Sequence, residues 1–191
     1  MTIPDLDPGT GHLPLGRHVC TIADVREHFV DHPRFTSSER RAKLFMNLGK
    51  YLIDWQHAQS RVGSDEILRS MWIAGSFASS EMNPDDIDVS PILNGPKLQE
   101  IKGRVGAGRI AELQGVRRER MVREYGVEPF PITWWPVTTL RRGDLSLVEH
   151  DYVGTRGLMD DVWQRTHSTS PKGAFTVDTA VPRRGYLEVV L

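Results

Sequence analysis

Gly75-Ser76, followed ten residues later by Asp86-Ile87-Asp88, is the stretch of this sequence richest in chemistry. Side chains two apart on a strand point to the same face. A strand carrying Asp86 and Asp88 therefore presents two carboxylates together and sends Ile87 and Val89 into a core. Two such carboxylates repel, and one has its pKa raised unless a positive charge sits between them. Mg2+ or Mn2+, which prefer hard oxygen ligands, supply that charge. Gly75 lets a phosphate approach the backbone, and the Ser76 hydroxyl with nearby N–H groups can hydrogen-bond it. Metal ligands beside a phosphate cradle are the minimum equipment for phosphoryl or nucleotidyl transfer.

The elements that must position these residues are readable around them. Met71-Trp72-Ile73-Ala74 is a short apolar run ending in Gly75-Ser76, which predicts a buried strand running into a turn. Asn83-Pro84-Asp85 marks a second turn, and Asp86 to Leu93 reads as the next strand. Thr21 and Asp24 have the spacing of a helix start, with Val25, Phe29 and Val30 as its apolar face. His32-Pro33 ends that helix. A longer helix begins near Ser37 or Ser38 and carries Leu44, Phe45, Leu48, Leu52 and Trp55 at helical spacing to about Ser60. Pro96 to Tyr125 reads as helical, interrupted by glycines. Pro131 to Val137 reads as a third strand and Met159 to His167 as a helix. Phe175 to Val177 and Tyr186 to Val190 read as closing strands, and residues 1–19, rich in Pro and Gly, as an extended N-terminal arm. The expected fold is α/β (α+β): one domain over 1–191, a small mixed sheet with helices packed on one face.

Composition narrows the class. With 191 residues and a net charge of −1, the chain is long enough for one cored domain and is no general nucleic-acid coat protein. One cysteine, Cys20, makes neither an internal disulfide nor a multi-cysteine zinc site. No apolar run reaches membrane-spanning length and no signal peptide opens the chain, so the expected setting is cytoplasmic, without membrane association.

The Gly-Ser…Asp-x-Asp spacing resembles the signature of the nucleotidyltransferase fold superfamily. That superfamily includes DNA polymerase beta, the aminoglycoside nucleotidyltransferases and small prokaryotic toxin–antitoxin nucleotidyltransferases. Trp72-Ile-x-Gly-Ser-Phe and Asn83-Pro84-x-Asp86-Ile-Asp88-Val resemble a group of small prokaryotic nucleotidyltransferase-like proteins. The opening Leu13-Pro14-x-Gly16-x-His18 and the late Pro171-Lys172-Gly173 are similar to that group as well. The resemblance implies a nucleotidyltransferase fold, with Asp86 and Asp88 as catalytic metal ligands for Mg2+ or Mn2+. It also implies Gly75 and Ser76 against the phosphates of an NTP, ATP foremost. Lys172 is a further candidate nucleotide contact. The acceptor is open among protein, RNA and small molecule. Members of the superfamily add a third carboxylate on a neighbouring strand. The expected strand Pro131–Val137 has no acid; Glu128 lies before it and Asp144 after it.

That gap keeps a second class in view: a non-catalytic nucleotide- or partner-binding module, such as an antitoxin or defence-system component with a protein partner. Other motifs have blander readings beside their functional ones. Gly106-Ala-Gly108-Arg-Ile-Ala111 matches a dinucleotide fingerprint, but Leu98 to Arg104 before it is charged, and a glycine-containing helix junction explains it better. His28 and His32, four apart, could share a helix face and pinch a metal, or be two solvated histidines at a helix end. Lys102, Arg104, Arg109, Arg117, Arg118, Arg120 and Arg123 form either a solvated helix face or a basic wall for NTP phosphates or an RNA acceptor.

Overall fold

The computed structural model describes residues 3–166 and 176–191. Strand β1 (Gly16–Cys20) leads into helix α1 (Ile22–Phe29). Thr21 and Asp24 form the predicted capping box, each side chain bonding the other residue's backbone N–H. A single 3-10 turn, Pro33–Phe35, precedes α2 (Arg41–Arg61), the longest helix. Strands β2 (Leu68–Ala74) and β3 (Ile87–Asn94) follow, then short helices α3 (Gly95–Glu100) and α4 (Ala107–Ala111). A π turn over Glu112–Val116 joins α4 to α5 (Arg118–Tyr125). Strands β4 (Val127–Pro129) and β5 (Ile132–Trp134), helix α6 (Leu147–Trp163) and strand β6 (Gly185–Val190) complete the order. The α+β class expected from the sequence is present.

The sheet runs β1-β6-β2-β3-β4, with β5 also on β3. It is mixed: β1 and β6 are parallel, β2 is antiparallel to both β6 and β3, and β4 and β5 lie parallel to β3. Alternation along the strands sorts two cores. Met71, Ile73, Val89 and Leu187 face Val25, Phe29, Leu48 and Trp55 of α1 and α2. Trp72, Ala74, Ile92 and Tyr186 face Tyr152, Met159 and Trp163 of α6. Helices therefore cover both faces rather than one, and all eight residues of β3 are buried in consequence.

Several elements differ from expectation, each for a readable reason. The N-terminal arm over 1–19 is not all extended coil. Gly16 to Cys20 pair with β6, and Ile3, Leu6 and Leu13 are buried in the larger core. Helix α6 begins at Leu147 rather than Met159, because Ser146 and Glu149 form a second capping box ahead of it. The third strand starts earlier and is split. Pro129 and Pro131 interrupt it, yet β4 and β5 pair with β3 at one constant offset, Val127 on Ile87 and Ile132 on Ile92. Phe175 lies outside the described residues; Thr176 and Val177 belong to a turn closed by Thr179 and Ala180 onto their carbonyls. Among the described residues, no helix is long and apolar enough to cross a membrane.

Candidate functional site

Ala74, the last residue of β2, pairs with Asp88 near the start of β3. The chain leaves β2 through Gly75 at φ +71°, a left-handed conformation that glycine adopts freely. A Cβ at Gly75 would stand 1.7 Å from Asp88 Oδ2. The carboxylate therefore lies directly over the turn, in space that only glycine leaves open. Beyond Gly75 the turn is held by its own polar atoms. The Ser76 carbonyl accepts from the Ser79 hydroxyl at 2.7 Å, and Ser79 Oγ accepts from the Glu81 N–H at 3.2 Å.

Arg41 fastens this loop to the body of the protein. Its side chain is buried, and its guanidinium donates to the carbonyls of Phe29, Phe77, Ser79 and Glu81 at 2.5–3.1 Å. The Phe35 ring lies 3.8 Å from its Cζ. A planar fork with five donors suits a loop that presents its carbonyls inward. Burial pushes the guanidinium down to about 10, so it stays charged at neutral pH. From the other side, the N-terminal segment closes on the loop: His12 bridges to Ser79, and the Ser80 N–H donates to the Gly11 carbonyl at 2.8 Å.

These elements enclose a cleft of about 520 Å³. One wall is polar, with His12, Gly75, Ser76, Ser79, Glu81, Asp88, Glu128 and Arg184. The other is apolar, with Phe130 and, from α6, Leu158, Met159, Val162 and Trp163. Trp163 is fixed by a 2.9 Å bond from Nε1 to Ser90 Oγ and packs edge-on against Phe130 at 5.1 Å between centroids. Arg184 donates from Nε to the Trp163 carbonyl at 3.1 Å. Burial lowers its pKa, partly offset by the nearby charge of Asp88. Burial, and then the charge of Arg184, lower the pKa of His12 and favour its neutral form.

The predicted residues are partly brought together. Gly75, Ser76 and Asp88 share the cleft. Asp86 stands one residue before β3, half-buried, and is not among the residues lining the cleft. Lys172 lies outside the described residues.

Glu128, which precedes the expected third strand, is itself a strand residue. It sits in β4 directly opposite Asp88. Partners in a parallel pair point to the same face, so the two carboxylates share the cleft. The Pro129-Phe130-Pro131 break hid this, because it makes the strand seem to begin at Pro131. Arg41, His12 and Arg184 carry no motif; only the fold brings His12 and Arg184 to the cleft and Arg41 behind its loop.

Hard oxygen donors from Asp88 and Glu128, with Asp86 next along the chain, suit Mg2+ or Mn2+ in chemical type. Among the described residues, no three His, Cys, Asp or Glu side chains stand clustered as a complete metal centre. His28 and His32 have ring centroids 6.0 Å apart, and His32 Nδ1 accepts from the Arg34 N–H, capping the 3-10 turn. Gly106 is the left-handed residue before α4 and follows α3 and a turn rather than a strand, so the glycine-junction reading of that motif holds.

The chain matches, over residues 4–178, a family described as a family of unknown function, DUF6932. It belongs to that family. The matched span takes in the Gly75–Asp88 stretch, Glu128 and the whole of α6, and ends before Arg184 and β6. Comparison with curated proteins and with solved structures finds no match.

Proposed function

We propose that this DUF6932 member is a metal-dependent nucleotidyltransferase that moves a nucleoside monophosphate from an NTP to an acceptor. The observation that carries the reading is the register of Asp88 with Glu128 beside the Gly75-Ser76 turn. It supplies a second in-cleft carboxylate next to a backbone able to take phosphates. Gly75 and Ser76 would hold the β- and γ-phosphates, with Arg184 as a cation close by. Phe130 and Trp163 offer an apolar, aromatic wall to the base.

Asp88 and Glu128, with Asp86 from the approach to β3, would hold Mg2+ or Mn2+. The bound ion would offset charge on the phosphates and on departing pyrophosphate. In the reaction, an acceptor oxygen bonds to the α-phosphorus as the bond from that phosphorus to the bridging oxygen breaks. Pyrophosphate leaves with the electron pair, and the acceptor's proton passes to the Glu128 carboxylate. Glu128 also holds a 3.8 Å ion pair with Arg118.

The test is calorimetry with Mg2+ and a non-hydrolysable ATP analogue, together with release of pyrophosphate from labelled NTPs in cell extract. Asp88→Asn and Glu128→Gln should each lower turnover by about 100-fold or more. Labelling that survives both changes in one chain would refute the assignment. The position of Asp86 outside the cleft lining favours a second reading, a nucleotide- or partner-binding module of the antitoxin or defence type. Metal-dependent NTP binding without pyrophosphate release would select it.

A further inference from the structure

A second cavity, of about 780 Å³, opens beside the cleft, and the two share Glu128 as a lining residue. Four arginines, Arg117, Arg118, Arg120 and Arg123, line it against two acids, Glu119 and Glu128. They are not equally neutralised. Arg120 is held by Glu112 at 3.1 Å and Glu124 at 3.3 Å. Arg117 reaches Glu112 only at 3.8 Å and leaves 68% of its side chain exposed. Arg123 is exposed and has no carboxylate within 4.0 Å among the described residues. Arg118 links the two cavities, pairing with Glu128 while its guanidinium lies 4.2 Å above the Phe130 ring of the cleft.

A nucleotidyl acceptor must bring its nucleophile to the α-phosphate without passing through the space the NTP fills. If the NTP occupies the cleft, the shared residue Glu128 makes the basic groove the open approach. We infer that this groove binds the acceptor, and that the acceptor is the hydroxyl-bearing end of a single-stranded nucleic acid. The inference rests on the nucleotidyl-transfer reading above. Several cations along one groove suit repeated phosphates rather than a single anionic group. The guanidinium of Arg118 at the junction offers a planar cation on which an unpaired base of the acceptor can stack.

The experiment is fluorescence anisotropy on the full chain with short, 5′-fluorescein-labelled single-stranded RNA and DNA of mixed sequence, and a labelled polyglutamate peptide as control. The strands should bind at about 50 mM salt and weaken steeply as salt rises. Arg117→Glu with Arg123→Glu should weaken strand binding by about tenfold or more, and leave affinity for Mg2+ with the ATP analogue unchanged. Should the double variant melt early, Arg123→Gln alone should still lower strand affinity by about threefold. Absence of strand binding, an unchanged affinity in the variants, or equal capture of polyglutamate would each overturn the inference. Nucleotide binding without strand binding defeats this inference alone. Strand binding without nucleotide binding defeats the transferase reading and leaves the groove as a nucleic-acid site.

Discussion

The two faces of the sheet differ in how completely they are covered. On the α1–α2 face, buried side chains run without a gap from Ile3 through Trp55 to Val189. On the α6 face, one helix crosses the strands, and the smaller core of Trp72, Ile92, Ile132 and Trp163 stops short of the β3–β4 edge. The cleft occupies that uncovered end. The closed face supplies rigidity and the half-closed face supplies access. The Gly75 loop is the joint between them, held from the closed side by Arg41 and presented to the open side as cleft wall.

The sharpest way to break this division is to cut the joint. Arg41→Ala strips four carbonyls, three of them buried, of their donor and should cost about 3–5 kcal/mol, read as a lower urea midpoint. It should loosen the loop and weaken nucleotide binding as well, since both depend on the same bonds. Gly75→Ala should cost about 1–3 kcal/mol through its left-handed backbone and the collision with Asp88. Its larger effect should be on binding of the ATP analogue in calorimetry, because the displaced carboxylate is the one proposed to hold the metal. A fall in stability with binding intact would place the phosphate cradle elsewhere.

Trp163→Phe tests the open face with a lighter touch. It removes the bond to Ser90 and should cost about 1 kcal/mol by thermal or urea unfolding. Loss of aromatic surface should weaken nucleotide more than free pyrophosphate. The smallest effect belongs to Cys20 on the closed face. Burial, reinforced by the charge of Asp24, pushes its thiol up to about 12. The native protein should resist maleimide at pH 8 and become labelled only in denaturant, since the thiolate is scarce and enclosed. Rapid native labelling would show that the closed face opens readily.

How much of this was legible beforehand follows from range. Capping, turn and periodicity signals act over a few residues. They gave α1, the body of α2, the β2 run into Gly75 and most of β3 nearly as observed. The capping box at Ser146 is as local as the one at Thr21, so the early start of α6 is legible in the sequence alone. The second-face core was harder, because Tyr152, Met159 and Trp163 declare their partner only once Trp72 and Ile92 face them. Glu128 depended on a register fixed by pairing across forty positions and masked by two prolines. Arg41 was beyond local reading altogether: a cation at a helix start looks solvated until carbonyls from Phe29 and the Phe77–Glu81 loop converge on it.

The place of β6 has a bearing on how the molecule comes to be made. It is inserted between β1 and β2, parallel to one and antiparallel to the other. Strands β2 and β3 can zip together as a neighbouring pair soon after both have emerged from the ribosome. Strand β1 has no partner in the sheet until β6 arrives. That contact spans nearly the whole described chain, and such long-range pairings form late because the intervening loop must be closed first. Arg184 immediately precedes β6, so the cleft gains this half-buried cation only in that last step. Leu187 and Val189 of β6 belong to the α1–α2 core as well, so a stalled or clipped product that lacks β6 would leave both that core and the cleft unfinished.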